Sequence, residues 1–294
     1  MNNPADSNEI TRAAFDRILM KTRYIGSELP DTTFRLWGRE FSTPIATAAL
    51  SHLDGLRPHG TRELALGAKE ANAVNFMGME SRQGELADVM EAGAATVRFI
   101  KPHAKDADVL SRVEEAKRLG VFAMGMDIDH AYNGSGGYDT VEGLPMKPKS
   151  AEQLKSYIDA AEGVPFVIKG VLSAFDAEKC MEIGASAIVV SHHHGIMPYS
   201  VPPILVLPEI LRVTGGKIPV FLDCGIASGA DVYKALALGA DAVCVGRDLM
   251  PPLKDKGAAG VAERIRALTG ELAALMARTG FRSLAEMDDS CLVR

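Results

Sequence analysis

The chain has 294 residues, of which 47% are hydrophobic and 24% are charged, a composition typical of a globular protein with a sizeable core. The net charge of -6 argues against a broad nucleic-acid-binding surface, and no apolar run approaches the ~20 residues of a membrane span. The polar N-terminus lacks a signal-peptide pattern and the four cysteines show no C-x-x-C spacing, so we expect a reducing, cytoplasmic location with neither nucleic-acid nor membrane partners.

The elements, in chain order, begin with residues 1–43, which are predicted to be a short N-terminal extension with one helix. From residue 44 onwards, short apolar runs alternate with amphipathic stretches, as expected for strands covered on both faces. The predicted strands are PIATAAL (44–50), NAVNFMG (72–78), TVRFIK (96–101), VFAMGMD (121–127), PFVIKG (165–170), SAIVVS (186–191), IPVFLD (218–223) and DAVCVG (241–246). The helical stretches between them run up to a glycine, a common helix stop, and Ser150 is a candidate N-cap with Gln153 three residues later.

Eight strand–helix units of fairly even spacing predict a parallel sheet closed into a TIM (β/α)8 barrel, with an open doubly wound sheet as the alternative. We predict a single domain over residues 1–294. The final stretch GVAERIRALTGELAALMARTG is long enough for the eighth helix and an extra C-terminal helix. Residues 128–164 follow strand four as a long loop and a helix, and this loop is either a lid over the site or a plain surface loop.

The ends of strands seven and eight carry the residues of a phosphate site. They read LDCGIASG and CVGRD, at the two loops where barrels often bind phosphate. Gly225, Gly229 and Gly246 allow backbone to approach an anion closely, and Arg247 adds a guanidinium that can bind phosphate oxygens in pairs. The alternative is a pair of tight turns with a surface arginine.

The second half of the chain resembles a known family. The stretch VIKGVLSAFDAEKCMEIGASAIVVSHHHG, then LPEILRVTGGKIPVFLDCGIASGADVYKALALGADAVCVGR and the tail TGFRSLAEMD, is similar to the FMN-dependent α-hydroxy-acid oxidases and dehydrogenases, which include glycolate and lactate oxidases. The similarity is dense over residues 165–288 and in register over about 14–127. It implies FMN as cofactor, a small-molecule substrate, an electron acceptor (O2 or another partner) and a homo-oligomer, specifically a tetramer.

The resemblance also implies roles for individual residues. His193 matches the base that takes the hydroxyl proton, Asp127 matches its carboxylate partner, and Lys169 matches the lysine beside flavin N1 and the C2 carbonyl. Imidazole titrates near neutral pH, as a general base should, and a cation at that edge would stabilise negative charge on the reduced flavin. The implied cofactor-binding residues are Ala48, Ala49, Ser51, Lys169, Ser191, Asp223, Gly225, Ser228, Gly246 and Arg247, and no metal is implied.

The sequence departs from the family on the substrate side. Ile196 stands where the family has the arginine that clamps the substrate carboxylate, and a second arginine expected soon after Asp127 is absent. Lys101 and His194 are therefore candidates for binding the carboxylate, with His103, Lys147 and Lys149 as further ones. A phosphate-side arginine is replaced near Ala227 or Ser228. The N-terminal helix that carries an active-site tyrosine is predicted to be missing, with Tyr24, Tyr132 and Tyr138 as candidate substitutes.

These observations favour an FMN-dependent oxidoreductase that oxidises a small 2-hydroxy acid or related substrate by hydride transfer to flavin N5. Three alternatives stay open: an FMN enzyme without net redox, as in type 2 isopentenyl-diphosphate isomerase, a non-catalytic flavin-binding protein, and a metal-dependent barrel hydrolase or lyase. In the last case the ligands to Zn²⁺ or Mn²⁺ would come from His192, His193, His194, Asp127, Asp129 and His130. Strand alternation would place His192 and His194 on one face and His193 on the other.

Overall fold

The computed structural model describes residues 5–294 and contains one eight-stranded parallel sheet, in which the second to eighth strands pair successively and the first strand pairs with the eighth. The strands are β1 Ile45–Thr47, β2 Asn75–Met77, β3 Thr96–Ile100, β4 Ala123–Asp127, β5 Phe166–Val171, β6 Ala187–Val190, β7 Val220–Leu222 and β8 Ala242–Val245. The sheet closes between β8 and β1 through a regular parallel ladder. Between β1 and β2 it closes through the amide of Thr47, which donates to Val74 O at 3.0 Å, and a parallel bridge of Leu50 with Met77. The predicted barrel is confirmed.

Helices surround the barrel and connect successive strands. They are α1 Ser7–Asp16, α2 Gly60–Glu70, α3 Glu85–Glu91, α4 Asp106–Leu119, α5 Ala151–Ala160, α6 Ala174–Glu182, α7 Pro203–Thr214, α8 Gly229–Ala237, α9 Met250–Lys256 and α10 Ala258–Thr279. None of the helices in the described part of the chain is both long and apolar enough to cross a membrane. The predicted cap of α5 is confirmed, because Ser150 and Gln153 form a reciprocal capping box.

The C-terminal helices differ in detail from the prediction. The stretch expected to hold two helices is one continuous helix of 22 residues, α10. The extra helical segment lies in front of it as α9, and Gly257 separates the two with φ 61° and ψ -139°. A backbone turn of this kind is accessible to glycine, which explains why the break falls there.

The N-terminal extension contains more than the one predicted helix. A hairpin of Phe34–Leu36 and Arg39–Phe41 follows α1, and Leu19–Met20 pairs with Leu292–Val293 near the other end of the chain. Phe34 contacts Phe221 inside the barrel edge to face, with ring centroids 6.3 Å apart. The hairpin therefore plugs the N-terminal end of the barrel, and the opposite end stays open to form a site.

Side chains alternate along each strand, and this alternation places charge at the open end. On β3, Val97 and Phe99 face the apolar barrel interior, and the next inward position is Lys101. The same period of two leads from Phe221 on β7 to Asp223 and from Val167 on β5 to Lys169. A buried layer of charged side chains thus caps the apolar core at the C-terminal ends of the strands.

The long loop after β4 is ordered rather than featureless. It carries a short hairpin of Thr140–Val141 with Leu144–Pro145 and a bridge between Tyr132 and Tyr138. A further bridge joins Met146 to His103 after β3. These pairings hold the loop over the edge of the barrel near β3 and β4.

Candidate active site

A cavity of about 960 Å³ opens at the C-terminal ends of the strands, within the size range of cofactor and substrate pockets. Most of the predicted site residues line it: Ala48, Ala49, Ser51, Lys101, Lys169, His193, His194, Asp223, Gly225, Gly246 and Arg247. Asp127, Ser191 and Ser228 do not contribute to the lining. The strand ends that the sequence singled out therefore meet in one place.

A chain of buried charges forms the floor of this cavity. Lys101 Nζ donates to Asp127 Oδ2 at 2.8 Å, and Lys169 Nζ lies 3.4 Å from Asp127 Oδ1 and 3.6 Å from Asp223 Oδ2. Burial alone would raise the pKa of Asp127, but the two ammonium groups outweigh it and hold that pKa well below its usual range. Burial alone would lower the pKa of Lys169, and Asp127 and Asp223 outweigh it in turn and raise it. Lys169 is therefore held as a cation at the cavity wall.

The loop after β7 offers unpaired donors to an anion. Cys224 and Gly225 adopt left-handed backbone angles, φ 73° and 84°. Among the described residues, no acceptor pairs with the backbone N–H of Gly225 or of Ile226. Successive N–H groups in such a turn form a concave anion-binding surface, to which Arg247 adds a guanidinium from the β8 end.

Two residues predicted to bind the cofactor, Ser228 and Ser191, make hydrogen bonds within the protein. Ser228 caps α8, since its Oγ accepts from the amide of Asp231 at 3.2 Å and donates to the carboxylate of Asp231 at 2.9 Å. Ser191 donates to Asp223 Oδ2 at 3.1 Å and accepts from the His193 amide at 3.0 Å. Ser228 therefore caps a helix outside the cavity lining and Ser191 fixes the His193 backbone, and contact of either residue with the cofactor stays a prediction.

The carboxylate nearest His193 is not the one expected. His193 Nδ1 lies 2.8 Å from Asp129 Oδ1 and 4.0 Å from Asp127 Oδ1, so both carboxylates face the imidazole and Asp129 is the nearer. Gly170 makes this approach possible: its φ is +96°, and a Cβ at that position would lie 2.5 Å from Asp129 Cγ. Asp129 therefore orients the imidazole, and Asp127 balances the two lysines.

The three consecutive histidines face two directions, as predicted, although they lie beyond β6 in a turn with φ 49° at His193 and 58° at His194. His192 Nε2 pairs with Thr11 Oγ1 at 2.8 Å and His194 Nδ1 with Asn8 Oδ1 at 2.8 Å, so both face α1, whereas His193 faces Asp129. One ligand atom each from Asp127, Asp129 and His193 could be reached by a single ion. The carboxylate of Asp127 already neutralises two ammonium groups, however, and this disfavours a cation there.

The helix predicted within the N-terminal extension, α1, contributes to the site and contains no tyrosine. Within α1, Asn8 accepts from Arg247 Nη2 at 2.9 Å, and Arg12 donates to Gly225 O at 3.3 Å and holds Asp231 through both terminal nitrogens. Both residues line the cavity and were not predicted, because they lie more than 180 residues from their contacts. None of the candidate tyrosines, Tyr24, Tyr132 and Tyr138, lines the cavity.

The remaining candidates for binding the substrate carboxylate fall into two groups, those that line the cavity and those that do not. Lys101 and His194 line the cavity. Lys149 instead pairs with Asp106 at 3.0 Å, and His103 is buried away from the cavity. Ile196, at the position of the family arginine, is exposed and does not line the cavity.

Comparison with known proteins identifies the family to which this chain belongs. The profile of the family described as FMN-dependent dehydrogenase matches residues 5–163 and 149–294. Glycolate oxidase of Spinacia oleracea is 30% identical over 95% of this chain and 85% of its own length, and 2-hydroxyacid oxidase 2 of Rattus norvegicus is 30% identical over 94% and 86%. A solved structure of a mandelate oxidase variant with a monooxide FMN adduct superposes with a TM-score of 0.88 at 28% identity, covering 99% of this chain and 92% of that one.

Proposed function

Because this chain belongs to the FMN-dependent dehydrogenase family and is an FMN-dependent oxidoreductase, we propose that it oxidises a small 2-hydroxy acid in the cavity, with His193 as the general base. The observation that carries the proposal is the imidazole at the cavity wall, with a carboxylate 2.8 Å from its Nδ1 and a buried ammonium at the wall of the same cavity. The relatives named glycolate oxidase and mandelate oxidase support the substrate class.

The residues present fit a phosphorylated flavin. The free N–H groups of Gly225 and Ile226, with Arg247, would hold the phosphate, and the small residues Ala48, Ala49 and Gly246 leave a flat wall for the ring system. Lys169 would lie at the edge of the ring. When bound, FMN supplies the two-electron acceptor for the hydride on the substrate carbon.

The protein's own part in the reaction is proton transfer and charge stabilisation. Asp129 at Nδ1 favours the tautomer in which His193 Nε2 carries the free lone pair, so Nε2 can take the proton of the substrate hydroxyl. Asp129 then stabilises the imidazolium. Lys169, kept charged by Asp127 and Asp223, presents a fixed positive charge where negative charge develops.

The two family arginines that would bind the substrate carboxylate are absent from this chain, so another cation must bind it. We assign this role to Lys101, which lines the cavity and donates to Asp127 through one of its three N–H groups, with His194 as the second candidate. The loop of residues 128–149 is proposed to act as a lid, since Val141 lines the cavity and Glu142 lies 3.7 Å from His52 across its mouth.

The proposal includes the electron acceptor, the assembly and the compartment. The oxidase names of the relatives support O2 as acceptor. Exposed apolar side chains at Ile196, Met197, Tyr199 and Leu205 support a homo-oligomer, for which the family resemblance implies a tetramer. Four buried free thiols support a reducing compartment such as the cytoplasm. Light scattering of the purified protein tests the assembly.

The function is tested by anaerobic mixing of FMN-loaded protein with a panel of 2-hydroxy acids while the flavin absorbance is followed. We expect bleaching by at least one member and recovery of the absorbance on admission of air. Bleaching by dithionite but by no 2-hydroxy acid would contradict the proposal and leave FMN binding intact.

A further inference from the structure

A second histidine–carboxylate pair lies beside the first in the same cavity. His130, three residues beyond the end of β4, lines the cavity, and its Nδ1 lies 3.0 Å from Asp139 Oδ2. Its ring packs edge to face against His193, with centroids 5.0 Å apart and planes at 72°. The cavity therefore presents two imidazoles side by side, each with a carboxylate at Nδ1.

The carboxylate of this second pair is fixed by the long loop. Asp139 Oδ1 accepts from the amide of Thr140 at 2.8 Å, and the Asp139 backbone bonds to Ala131 at 3.0 Å and to Met146 at 2.8 Å. Asn133 closes the turn between them by bonding to three backbone groups of the loop. An imidazole held by such a loop has a defined direction, which is what recognition of a small substrate requires.

The chemistry of His130 follows from its surroundings. Burial, Lys101 and His193 lower the pKa of His130, so its ring is neutral at neutral pH. A neutral imidazole has one donor and one acceptor nitrogen. His130 Nδ1 is within ion-pair distance of Asp139 but makes no hydrogen bond, and no protein group in the described part of the chain bonds to Nε2, so the ring is available to a ligand.

Two neighbouring imidazoles match two hydroxyls carried on adjacent carbons. The hydroxyl that is oxidised donates to His193, and a hydroxyl on the next carbon, which can donate or accept, can bind the ring of His130 at the same time. We propose that His130 is a second substrate-binding residue and that the cavity prefers 2-hydroxy acids with a further hydroxyl on C3. This inference rests on the proposed function. It names the class of 2-hydroxy acid, which the absence of the two family arginines leaves undetermined.

The test compares matched acids that differ only in the C3 hydroxyl. FMN-loaded protein is mixed anaerobically with 2-hydroxypropanoate or 2,3-dihydroxypropanoate, and the rate of flavin bleaching is measured against acid concentration. Binding is measured separately through the flavin spectrum with the 2-methyl derivatives of the two acids, which have no C2 hydrogen to transfer. We expect the dihydroxy acid to bind and react roughly tenfold better, the usual scale of one net hydrogen bond.

Variants of the second pair show whether His130 is responsible. His130→Phe keeps a ring and removes both ring nitrogens, and we expect the ratio of the bleaching rates for the dihydroxy and monohydroxy acids to fall from roughly tenfold to about one. Asp139→Asn leaves His130 in place without its carboxylate and should reduce the preference. Tyr138→Phe, on the same loop but outside the cavity, is the matched control and should keep it. Fluorescence quenching by FMN and thermal unfolding check that each variant folds.

The outcomes separate the inference from the proposed function. Equal binding and bleaching by the two acids, or a preference that survives in His130→Phe, would overturn the inference alone. Failure of every 2-hydroxy acid to bind or bleach would overturn the proposed function and this inference with it.

Discussion

The pairing of His193 with Asp129 gives the sharpest prediction, because a different carboxylate, Asp127, matches the family position. Asp129→Asn removes the negative charge 2.8 Å from His193 Nδ1 and keeps the side-chain shape. The imidazolium that forms as His193 takes the proton would then lose a charge-assisted hydrogen bond, which contributes about 1.5 to 3 kcal/mol. The partial exposure of both side chains argues for the lower part of that range, so we expect bleaching to be roughly 10- to 100-fold slower.

Asp127→Asn is the matched comparison and should fail in a different way. It would leave the buried ammonium groups of Lys101 and Lys169 without their shared counter-charge, and breaking a buried pair costs about 3 to 5 kcal/mol. We therefore expect Asp127→Asn to lower the free energy of unfolding, measured in urea, and to weaken FMN binding, whereas Asp129→Asn leaves both near wild type.

Rapid-mixing absorbance under anaerobic conditions measures the bleaching rates of both variants. The reasoning would be refuted by an Asp129→Asn protein that bleaches within threefold of wild type. It would equally be refuted by an Asp127→Asn protein with unchanged stability and a 10- to 100-fold slower rate, since that result would assign the partnership with His193 to Asp127.

Three further predictions follow from single side chains. His193→Ala should keep FMN and lose bleaching by roughly two to four orders of magnitude, the scale of a general base, and retained bleaching would remove His193 from the mechanism. Gly170→Ala should displace Asp129 and slow bleaching roughly 10- to 100-fold with FMN still bound, whereas a wild-type rate would show that the close approach is not needed. Burial lowers the pKa of His103 from 6.5 to about 4, so the folded protein disfavours the charged imidazole. The free energy of unfolding should therefore decrease, by about 3 kcal/mol at most, as the pH falls from 6.5 towards 4. Urea unfolding at pH 7 and pH 4.5 should show a smaller acid loss in His103→Leu, and identical losses would contradict the argument.

The barrel was predictable because its strands are buried on both faces. Such strands read as uninterrupted apolar runs, and the turn from apolar to charged at Lys101, Asp127, Lys169 and Asp223 marks where each strand leaves the core. Those residues share one edge of a parallel sheet, so proximity in space follows from topology alone. The predicted separation of His193 from its neighbours is observed, but it arises from left-handed backbone angles at His193 and His194 and not from a strand period.

Contacts made by the N-terminal helix, and contacts that depend on an unusual backbone angle, were not predictable from the sequence pattern. Asn8 and Arg12 reach the site through the packing of α1 across the barrel mouth, which no local pattern encodes. The closer approach of Asp129 to His193 depends on the positive φ of Gly170, which a strand pattern does not reveal. Ser228 lies in a family motif, and its role as a helix cap follows from Asp231 three residues later.

A crystal structure of the protein with FMN and a 2-hydroxy acid that lacks a C2 hydrogen would test the central claim most directly. The account predicts the phosphate at the loop of Gly225 and Arg247, the ring edge at Lys169, and the ligand hydroxyl in hydrogen-bond contact with His193 Nε2. A ligand hydroxyl held by any other side chain, with His193 still paired to Asp129 and turned from the ligand, would contradict it.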